Sequence, residues 1–283
     1  MKKLVFFFMF ICVLANAKDS NAPSSFSIIT FAINHYGLNS EGVPWQTNLD
    51  TPIESANTLV NSLKDNITEN YPSTVFKTPK QYSDAEVTKA TFIRETDNYN
   101  FVYYDGHGGV DRITMCPNNE RVWNKDKSFG GKTYWVIFSA CQVLKSDEMN
   151  PFPWFNGVHS ILGYSSSVSD YGTEKYNVKC GLFNLFKCSR TRKSYYVHRD
   201  FATNWVEDKI GIWEAYRNAI YKWLVQGRDY GVEPIIVYLW GSVDGKNFDA
   251  SKETFENSVQ KPLYINSDLK LYKMLHTYGT PEY

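Results

Sequence analysis

Two kinds of hydrophobic pattern alternate along the chain. Short continuous apolar runs, typical of strands buried on both faces of a sheet, begin near Ser27 and recur at residues 99–104, 133–140, 157–167 and 234–242. Segments with apolar residues three or four positions apart, which predict helices, occupy residues 52–66, 83–94 and 212–227. Ser83 or Asp84 is a candidate N-cap for the second helix, and Gly227 is a candidate C-cap for the third.

The two best helical patterns each form one apolar stripe. The stripes consist of Ile53, Ala56, Leu59, Val60 and Leu63 in the first helix, and of Trp213, Tyr216, Ile220, Trp223 and Leu224 in the third. Because such helices alternate with buried strands, the sequence predicts an α/β fold: a three-layer αβα sandwich with a mostly parallel sheet. In sheets of this kind, binding and catalytic sites form at the carboxyl ends of the strands.

The N-terminus has the layout of an export signal. Two lysines precede an apolar run of about ten residues and Ala15-Asn16-Ala17, a run too short for the ~20 residues of a membrane-spanning helix. We therefore expect a signal peptide at residues 1–17, a secreted or periplasmic protein, and a single domain over residues 18–283. The basic segment 171–199 is expected to be a loop insertion in that domain.

Charge and cysteine content narrow the partners and the chemistry. Lysine plus arginine and aspartate plus glutamate both number 30, so the balance favours neither a nucleic-acid nor a membrane partner. Outside the leader the cysteines are Cys116, Cys141, Cys180 and Cys188. In an oxidising compartment Cys180 and Cys188 are expected to close a local disulfide, and a bridge between Cys116 and Cys141 is a second possibility.

A histidine and a cysteine follow two consecutive predicted strands. His107 lies among glycines directly after the run that ends at Asp105, and Cys141 directly follows the next run. If these strands are neighbours, both side chains face one cleft. A cysteine nucleophile needs a base, because the thiolate is the reactive form, and His107 is suited to that role and to protonating a leaving amine.

The ordered pair His107-Gly108 and Ala140-Cys141 resembles the motifs of the caspase-like cysteine peptidases, the group that holds caspases, legumain, gingipains and clostripain. The resemblance implies a caspase-like fold and a cysteine endopeptidase without a cofactor, acting on a peptide or protein substrate. It also implies Cys141 as nucleophile, His107 as base and acid, and the backbone N–H groups of Gly108 and Cys141 as oxyanion donors. Gln142 departs from the glycine that often follows the cysteine in this group.

The resemblance further implies a substrate pocket beside the strand that ends near Ser165. Residues Ser165 to Tyr171 are expected to reach its wall, and Asp170 is the one charge among them. A carboxylate there predicts a preference for arginine or lysine.

The remaining titratable residues are expected to have structural or surface roles. Asp105 either orients His107 or, as we favour, makes the turn. His35 and His159 are expected to be structural, and His198 and His276 to lie at the surface. No group of residues has metal-ligand spacing.

Two alternatives to the peptidase stay open. The first is a secreted non-catalytic binding domain of the same fold, with Cys141 bonded to Cys116. The second is an α/β-hydrolase-type serine esterase, in which Gly163 to Ser167 approximates the nucleophile elbow and Ser165 is the nucleophile.

Overall fold

The computed structural model describes residues 22–145, 153–168, 172–180, 186–226 and 231–278. Four α-helices are present in this part of the chain: α1 (Pro52–Asn70), α2 (Lys89–Glu95), α3 (Tyr196–Ala202) and α4 (Ile212–Ile220). The strands are β1 (Ser25–Phe26), β2 (Ile28–Ala32), β3 (Val75–Phe76), β4 (Lys80–Ser83), β5 (Phe101–Asp105), β6 (Gly108–Gly109), β7 (Arg112–Thr114), β8 (Arg121–Trp123), β9 (Trp135–Ser139), β10 (Ser160–Tyr164), β11 (Thr173–Cys180), β12 (Phe186–Lys193), β13 (Pro234–Val243), β14 (Lys246–Asp249) and β15 (Leu269–Leu275).

An eight-stranded sheet forms the centre of the fold. Its order is β4–β2–β5–β9–β10–β13–β14, and β15 also pairs with β13. The neighbours from β4 to β10 are parallel, whereas β13 is antiparallel to β10. The predicted α/β class with a mostly parallel sheet is confirmed, and every strand that the apolar runs predicted belongs to this sheet.

Helices cover both faces of the sheet, as the three-layer prediction requires. One face packs against α1, α3 and α4 through a large aromatic core that includes Phe101, Phe201 and Trp205. The other face packs against α2 and the small three-stranded sheet of β6, β7 and β8, with Phe92 and Val122 in its core. No helix among the described residues is both long and apolar enough to cross a bilayer.

Helix α1 follows its sequence pattern closely. Thr51 is its N-cap and Pro52 opens its first turn, where the missing N–H of proline removes no hydrogen bond. Four of the five predicted stripe residues are buried, and Ile53 packs partly against the same core. The N-terminal end of α1 thereby lies at the carboxyl edge of the sheet, where Thr51 and Ser55 face a cleft.

The second predicted helix is broken in the structure. Ser83 ends β4, a 3₁₀ turn covers Asp84–Glu86, and α2 begins only after its own N-cap, Thr88. Ser83 and Glu86 form a capping box around the 3₁₀ turn. The apolar spacing predicted one helix here. Polar caps at Ser83 and Thr88 divide it into the 3₁₀ turn and α2.

The third predicted helix is α4, extended by a π-helical turn at Tyr221–Val225. Trp213, Tyr216, Ile220 and Leu224 of its stripe are buried. The predicted C-cap, Gly227, lies outside the described residues.

The basic segment predicted as a loop contains two long antiparallel strands, β11 and β12. In the backbone register Cys180 lies opposite Phe186 and Cys188 opposite Val178, so the two cysteines belong to cross-strand pairs two positions apart. Diagonal positions of this kind are about 7–8 Å apart, beyond the usual Cα separation of a disulfide. Their side chains lie outside the described part of the structure, and the Cys180–Cys188 bridge stays a prediction.

Glu253 joins several elements under the far end of the sheet. Its carboxylate is 3% exposed and accepts hydrogen bonds from the indole of Trp135 at 3.1 Å and the backbone N–H of Val259 at 3.0 Å. The Nδ1 atom of His159 lies 3.0 Å from the same carboxylate, and its Nε2 lies 2.8 Å from the carbonyl of Lys261. His159 is therefore the structural core histidine that its sequence position predicted.

We predict that Glu253→Ala lowers the free energy of unfolding by about 3–5 kcal/mol, because it leaves the buried partners of the carboxylate uncompensated. Urea denaturation followed by tryptophan fluorescence measures the change. The matched control is Lys252→Ala, at a side chain that is 81% exposed, and its expected effect is within about 0.5 kcal/mol. Equal effects of the two substitutions contradict the structural role of Glu253.

Candidate functional site

A cleft of about 610 Å³, counting its open mouth, lies at the carboxyl ends of the parallel strands. The cleft receives residues from the ends of β5 and β9, from α1 and from α3. The side chains that line it include those of Leu49, Thr51, Ser55, Asp105, His107, Ser139, Cys141, Tyr164, Val168, Ser194, Val197, His198 and Leu224.

Two tyrosine hydroxyls hold the backbone of His107. Its N–H donates to the hydroxyl of Tyr36, and its carbonyl accepts from the hydroxyl of Tyr104 at 3.0 Å. The Tyr36 ring also packs against the imidazole, with the ring centres 4.9 Å apart. Both hydroxyls also closely surround Gly106, where any larger residue would collide with them.

The imidazole of His107 has a defined hydrogen-bond partner. Its Nε2 lies 2.6 Å from the carbonyl oxygen of Thr47. Because a carbonyl only accepts, Nε2 carries a proton, and in the neutral ring Nδ1 is then the nitrogen that can accept one. A backbone carbonyl thus fixes which nitrogen of His107 acts as a base.

Cys141 lies two residues after the end of β9 and is a free, half-buried thiol. Its sulfur accepts a hydrogen bond from the N–H of Val168 at 3.2 Å and lies 3.4 Å from the carbonyl of the same residue. Cys116 is also free, and its sulfur donates to the carbonyl of His35. The alternative bridge between Cys116 and Cys141 is therefore not formed.

Gln142 takes a left-handed backbone conformation, with φ of +55°. A side chain in this region costs about 1–2 kcal/mol relative to the right-handed one, which is why glycine is favoured there. Position 142 therefore has a backbone conformation that glycine adopts easily, although the residue there is glutamine.

The loops that carry His107 and Cys141 touch each other at Gly108. A Cβ atom on Gly108 would lie 2.8 Å from the Cβ of Ala140 and 2.9 Å from the carbonyl oxygen of Cys141. The His-Gly and Ala-Cys sequences are therefore packed directly together. Within the described residues no hydrogen bond joins His107 to Cys141, since Thr47 and Val168 are their partners.

A second histidine faces the same cleft, contrary to the sequence prediction. His198 lies on α3, is only 4% exposed, and lines the cleft instead of the surface. Its Nε2 lies 2.9 Å from the hydroxyl of Tyr103, which in turn donates to Asp105 at 2.7 Å. Burial, and then the charge of Asp105, raise the pKa of Tyr103 well above its usual value, so this hydroxyl keeps its proton.

The spacing of the apolar residues after His198 indicates that this histidine is buried. Phe201, Ala202 and Trp205 follow it at three, four and seven positions, which places His198 on the apolar stripe of its helix. Asp105 was expected to make the turn through its side chain. Its Oδ2 accepts a hydrogen bond from the Tyr103 hydroxyl, because residues two apart on a strand share a face, and the turn role stays a prediction.

Asp200 fixes the position of α3. One carboxylate oxygen accepts from the indole of Trp223 at 2.7 Å and pairs with Lys222, and the other accepts from Arg199 at 2.9 Å. Burial raises the pKa of Asp200, but the hydrogen bonds from Lys222, Trp223 and Arg199 outweigh it, and the pKa is lowered overall. The helix that carries His198 is thereby tied to the end of the α4 segment.

Ser165 does not line this cleft. Its hydroxyl donates to the carboxylate of Glu233 at 2.8 Å, and it faces a separate pocket with Ser166 and Lys273. No histidine within the described part of the chain contacts Ser165, so the serine-esterase arrangement is not assembled. Ser165, expected in the substrate pocket, faces this second pocket, whereas Val168 of the same expected segment lines the cleft. Asp170 lies outside the described residues.

His35 and His276 do not line this cleft. His35 lies 3.4 Å from Asp84 and is largely exposed, and His276 is half-buried beside Arg217 in another pocket. Among the described residues no group of histidine, cysteine and acidic side chains is arranged to hold a metal ion.

One family model, of undetermined role, matches part of the chain. A family model described as "Domain of unknown function (DUF6345)" matches residues 46–182, which include His107 and Cys141. No curated protein matches the sequence. Among solved structures the chain is similar to the Drosophila initiator caspase Dronc over 87% of each chain, with 8% identity and a TM-score of 0.41, a similarity too low to carry an argument.

We predict that Gly108→Ala separates the two loops and lowers stability by about 1–3 kcal/mol, because the new methyl group meets Ala140 and the Cys141 carbonyl. Thermal unfolding and the rate of Cys141 alkylation by iodoacetamide report the two effects. Gly231→Ala is the matched control, since open space surrounds Gly231. An unchanged alkylation rate and stability in Gly108→Ala contradict the close contact.

We predict an acid-dependent loss of stability at Asp200. Its lowered pKa makes a stabilising contribution that is complete above the unfolded value near 3.8 and is lost as the pH falls through the folded value. At pH 7, Asp200→Asn should therefore lower the free energy of unfolding by about 1–3 kcal/mol. Urea titrations at pH 7 and at pH 3 measure the difference, which should shrink at pH 3. A difference that is equal at both pH values argues against the charged contacts.

Proposed function

We propose that this protein is a cysteine peptidase of the caspase-like type, in which Cys141 attacks a peptide carbonyl and His107 serves as base and acid. The observation that carries the proposal is the direct packing of the His107-Gly108 loop against Ala140 and Cys141 at the edge of one cleft. A nucleophile and a base that share a cleft, with a third group orienting the base, are the parts that acyl transfer needs.

The carbonyl of Thr47 is the orienting group in this proposal. By accepting the proton of Nε2 at 2.6 Å, it keeps Nδ1 of His107 available to take the proton of the Cys141 thiol. Catalytic hydrogen bonds are often long or unformed without substrate, so the contact between His107 and Cys141 belongs to the bound state.

The reaction then runs in two steps. The Cys141 thiolate adds to the carbonyl carbon and the C–N bond breaks, while the protonated His107 gives its proton to the leaving amine. Water, deprotonated by His107, then hydrolyses the thioester and restores the thiol. In the proposal the N–H groups of Gly108 and Cys141 stabilise the oxyanion, an effect of about 3–4 kcal/mol in comparable sites.

Export is part of the proposal and rests on the N-terminal sequence alone. A leader at residues 1–17 would deliver the protein to a secreted or periplasmic location, where it would meet peptide or protein substrates. N-terminal sequencing of the protein isolated from its native host tests this: a mature chain that begins at Lys18 is expected, and one that retains Met1 contradicts export.

We predict that Cys141→Ala abolishes hydrolysis of a mixed fluorogenic peptide library and that His107→Ala lowers kcat by about 10²–10⁴-fold. Cys116→Ala is the matched control. Burial raises the pKa of the Cys116 thiol, which makes it a poor nucleophile, so its removal should leave activity near that of the wild type.

Two results decide between the alternatives. Activity that survives Cys141→Ala but is lost in Ser165→Ala supports the serine esterase and refutes the proposal. A wild-type protein that cleaves no peptide under reducing conditions, and whose Cys141 reacts with iodoacetamide no faster than Cys116, favours the non-catalytic binding domain.

A further inference from the structure

A two-stranded hairpin lies at one rim of the cleft. It consists of β11 and β12, which are paired over their full length. At its base the N–H of Ser194 donates to the carbonyl of Gly172 at 3.0 Å, and the Ser194 hydroxyl lies 3.4 Å from the hydroxyl of Thr51. Thr51 and Ser194 both line the cleft. The β11–β12 hairpin is therefore joined directly to the edge of the candidate site.

The two strands of this hairpin carry a local excess of positive charge. Over the whole chain basic and acidic residues are equal at 30 each, but these strands contain six basic residues and one acidic residue, Glu174. The basic residues are Lys175, Lys179, Lys187, Arg190, Arg192 and Lys193. The excess therefore belongs to the hairpin and does not reflect the overall composition.

The acidic residue of the two strands is paired with a buried arginine. Arg192 is 3% exposed, and it donates from Nε to the Glu174 carboxylate at 2.9 Å and from Nη1 to the carbonyl of Gln226 at 2.6 Å. The exposed positions among the described side chains of the hairpin are Thr173, Lys175, Ser189 and Thr191. None of these four is acidic, so this part of the hairpin presents ammonium and hydroxyl groups to the solvent.

Lysines recur along the length of the hairpin. Lys193 directly precedes Ser194 at the cleft, and Lys175 follows three residues after Gly172 at the base. In the backbone register position 179 is paired with position 187, and the sequence has lysine at both. Directly opposed like charges destabilise a two-stranded ribbon, and an anion bound beside them relieves the repulsion. Because eight residues of a strand span about 25 Å, the lysines extend from the cleft to well outside it.

The residues beside the lysines favour one class of anionic partner. A surface that binds an anionic bilayer combines basic residues with apolar side chains that enter the lipid. The exposed described positions of this hairpin other than Lys175 carry only threonine and serine. Ammonium and hydroxyl groups are hydrogen-bond donors that suit carboxylates, so the side chains of an acidic peptide segment fit this surface better than a bilayer does.

We propose that the β11–β12 hairpin is a docking surface for an acidic segment of a protein partner, outside the residues that the cleft itself holds. That this partner is the substrate of Cys141 rests on the proposed function. Attraction between the hairpin and the acidic segment raises the rate of association and weakens as the salt concentration increases.

Two octapeptides of equal size test the surface independently of catalysis. Fluorescence anisotropy compares fluorescein-labelled Glu-Ser and Gln-Ser repeats on the wild-type protein at about 50 mM and about 500 mM salt. At least tenfold tighter binding of the acidic peptide is expected at the lower salt concentration, and most of this preference should be lost at the higher one. Equal affinities, or a preference that salt does not reduce, overturn the proposal. Binding to phosphatidylserine vesicles without binding to the acidic peptide assigns the hairpin to a membrane and also overturns it.

Substitutions then locate the surface on the hairpin. Lys175→Glu should weaken binding of the acidic octapeptide at least threefold, and the milder Lys175→Gln at least twofold. The matched control is Lys246→Glu at an exposed lysine of β14, which changes the net charge as much as Lys175→Glu and should alter the affinity by less than twofold. Equal losses in Lys175→Glu and Lys246→Glu show a response to net charge alone and refute the hairpin as the docking surface.

Cleavage separates this inference from the proposed function. A peptide that the protein cuts is extended by the acidic or by the neutral octapeptide, and the acidic extension should raise kcat/KM at least threefold, chiefly through KM. Lys175→Glu should remove this advantage and leave cleavage of the unextended peptide unchanged. If no peptide is cut while the acidic octapeptide is still preferred, the peptidase proposal fails and the docking surface stands. If peptides are cut but neither the extension nor the octapeptide shows a preference, the docking surface fails and the peptidase stands.

Discussion

The close contact between the ends of β5 and β9 is the constraint on which the candidate site depends. The two strands are adjacent and parallel, with Asp105 opposite Ser139, so the chain leaves both strands at the same height. Gly108 then lies so near Ala140 and Cys141 that no side chain fits between them. His107 and Cys141 share one cleft because the backbones that carry them cannot move apart without breaking this packing.

Hydrogen bonds from outside this contact decide how each group is oriented. Thr47 fixes the protonated nitrogen of His107, Tyr36 and Tyr104 hold its backbone, and Val168 contacts the Cys141 sulfur. These partners come from separate segments of the chain. The cleft is therefore built by the tertiary fold as a whole, and its chemistry depends on contacts that neither short motif contains.

The sequence predicted the parts of the fold that local patterns control. Buried strands appear as apolar runs, and α1 and α4 as apolar stripes, so the α/β class and the strand ends that carry His107 and Cys141 were predictable. Features that depend on long-range contacts or on weak sequence patterns were not predictable. The edge strand β4 is polar, and the division of the second helix depends on the caps at Ser83 and Thr88. Nothing local indicates that Ser165 turns toward Glu233 or that Thr47 reaches His107.

The left-handed conformation at Gln142 has a consequence for how such chains are found. Sequence patterns record backbone shape indirectly, by listing the residue that adopts the shape most easily. At position 142 the shape is present and that residue is not. A pattern that demands glycine after the cysteine would reject this chain, although the main chain already follows the course that glycine would allow. Searches by backbone torsion angles at the strand end would retrieve proteins that searches by residue identity discard.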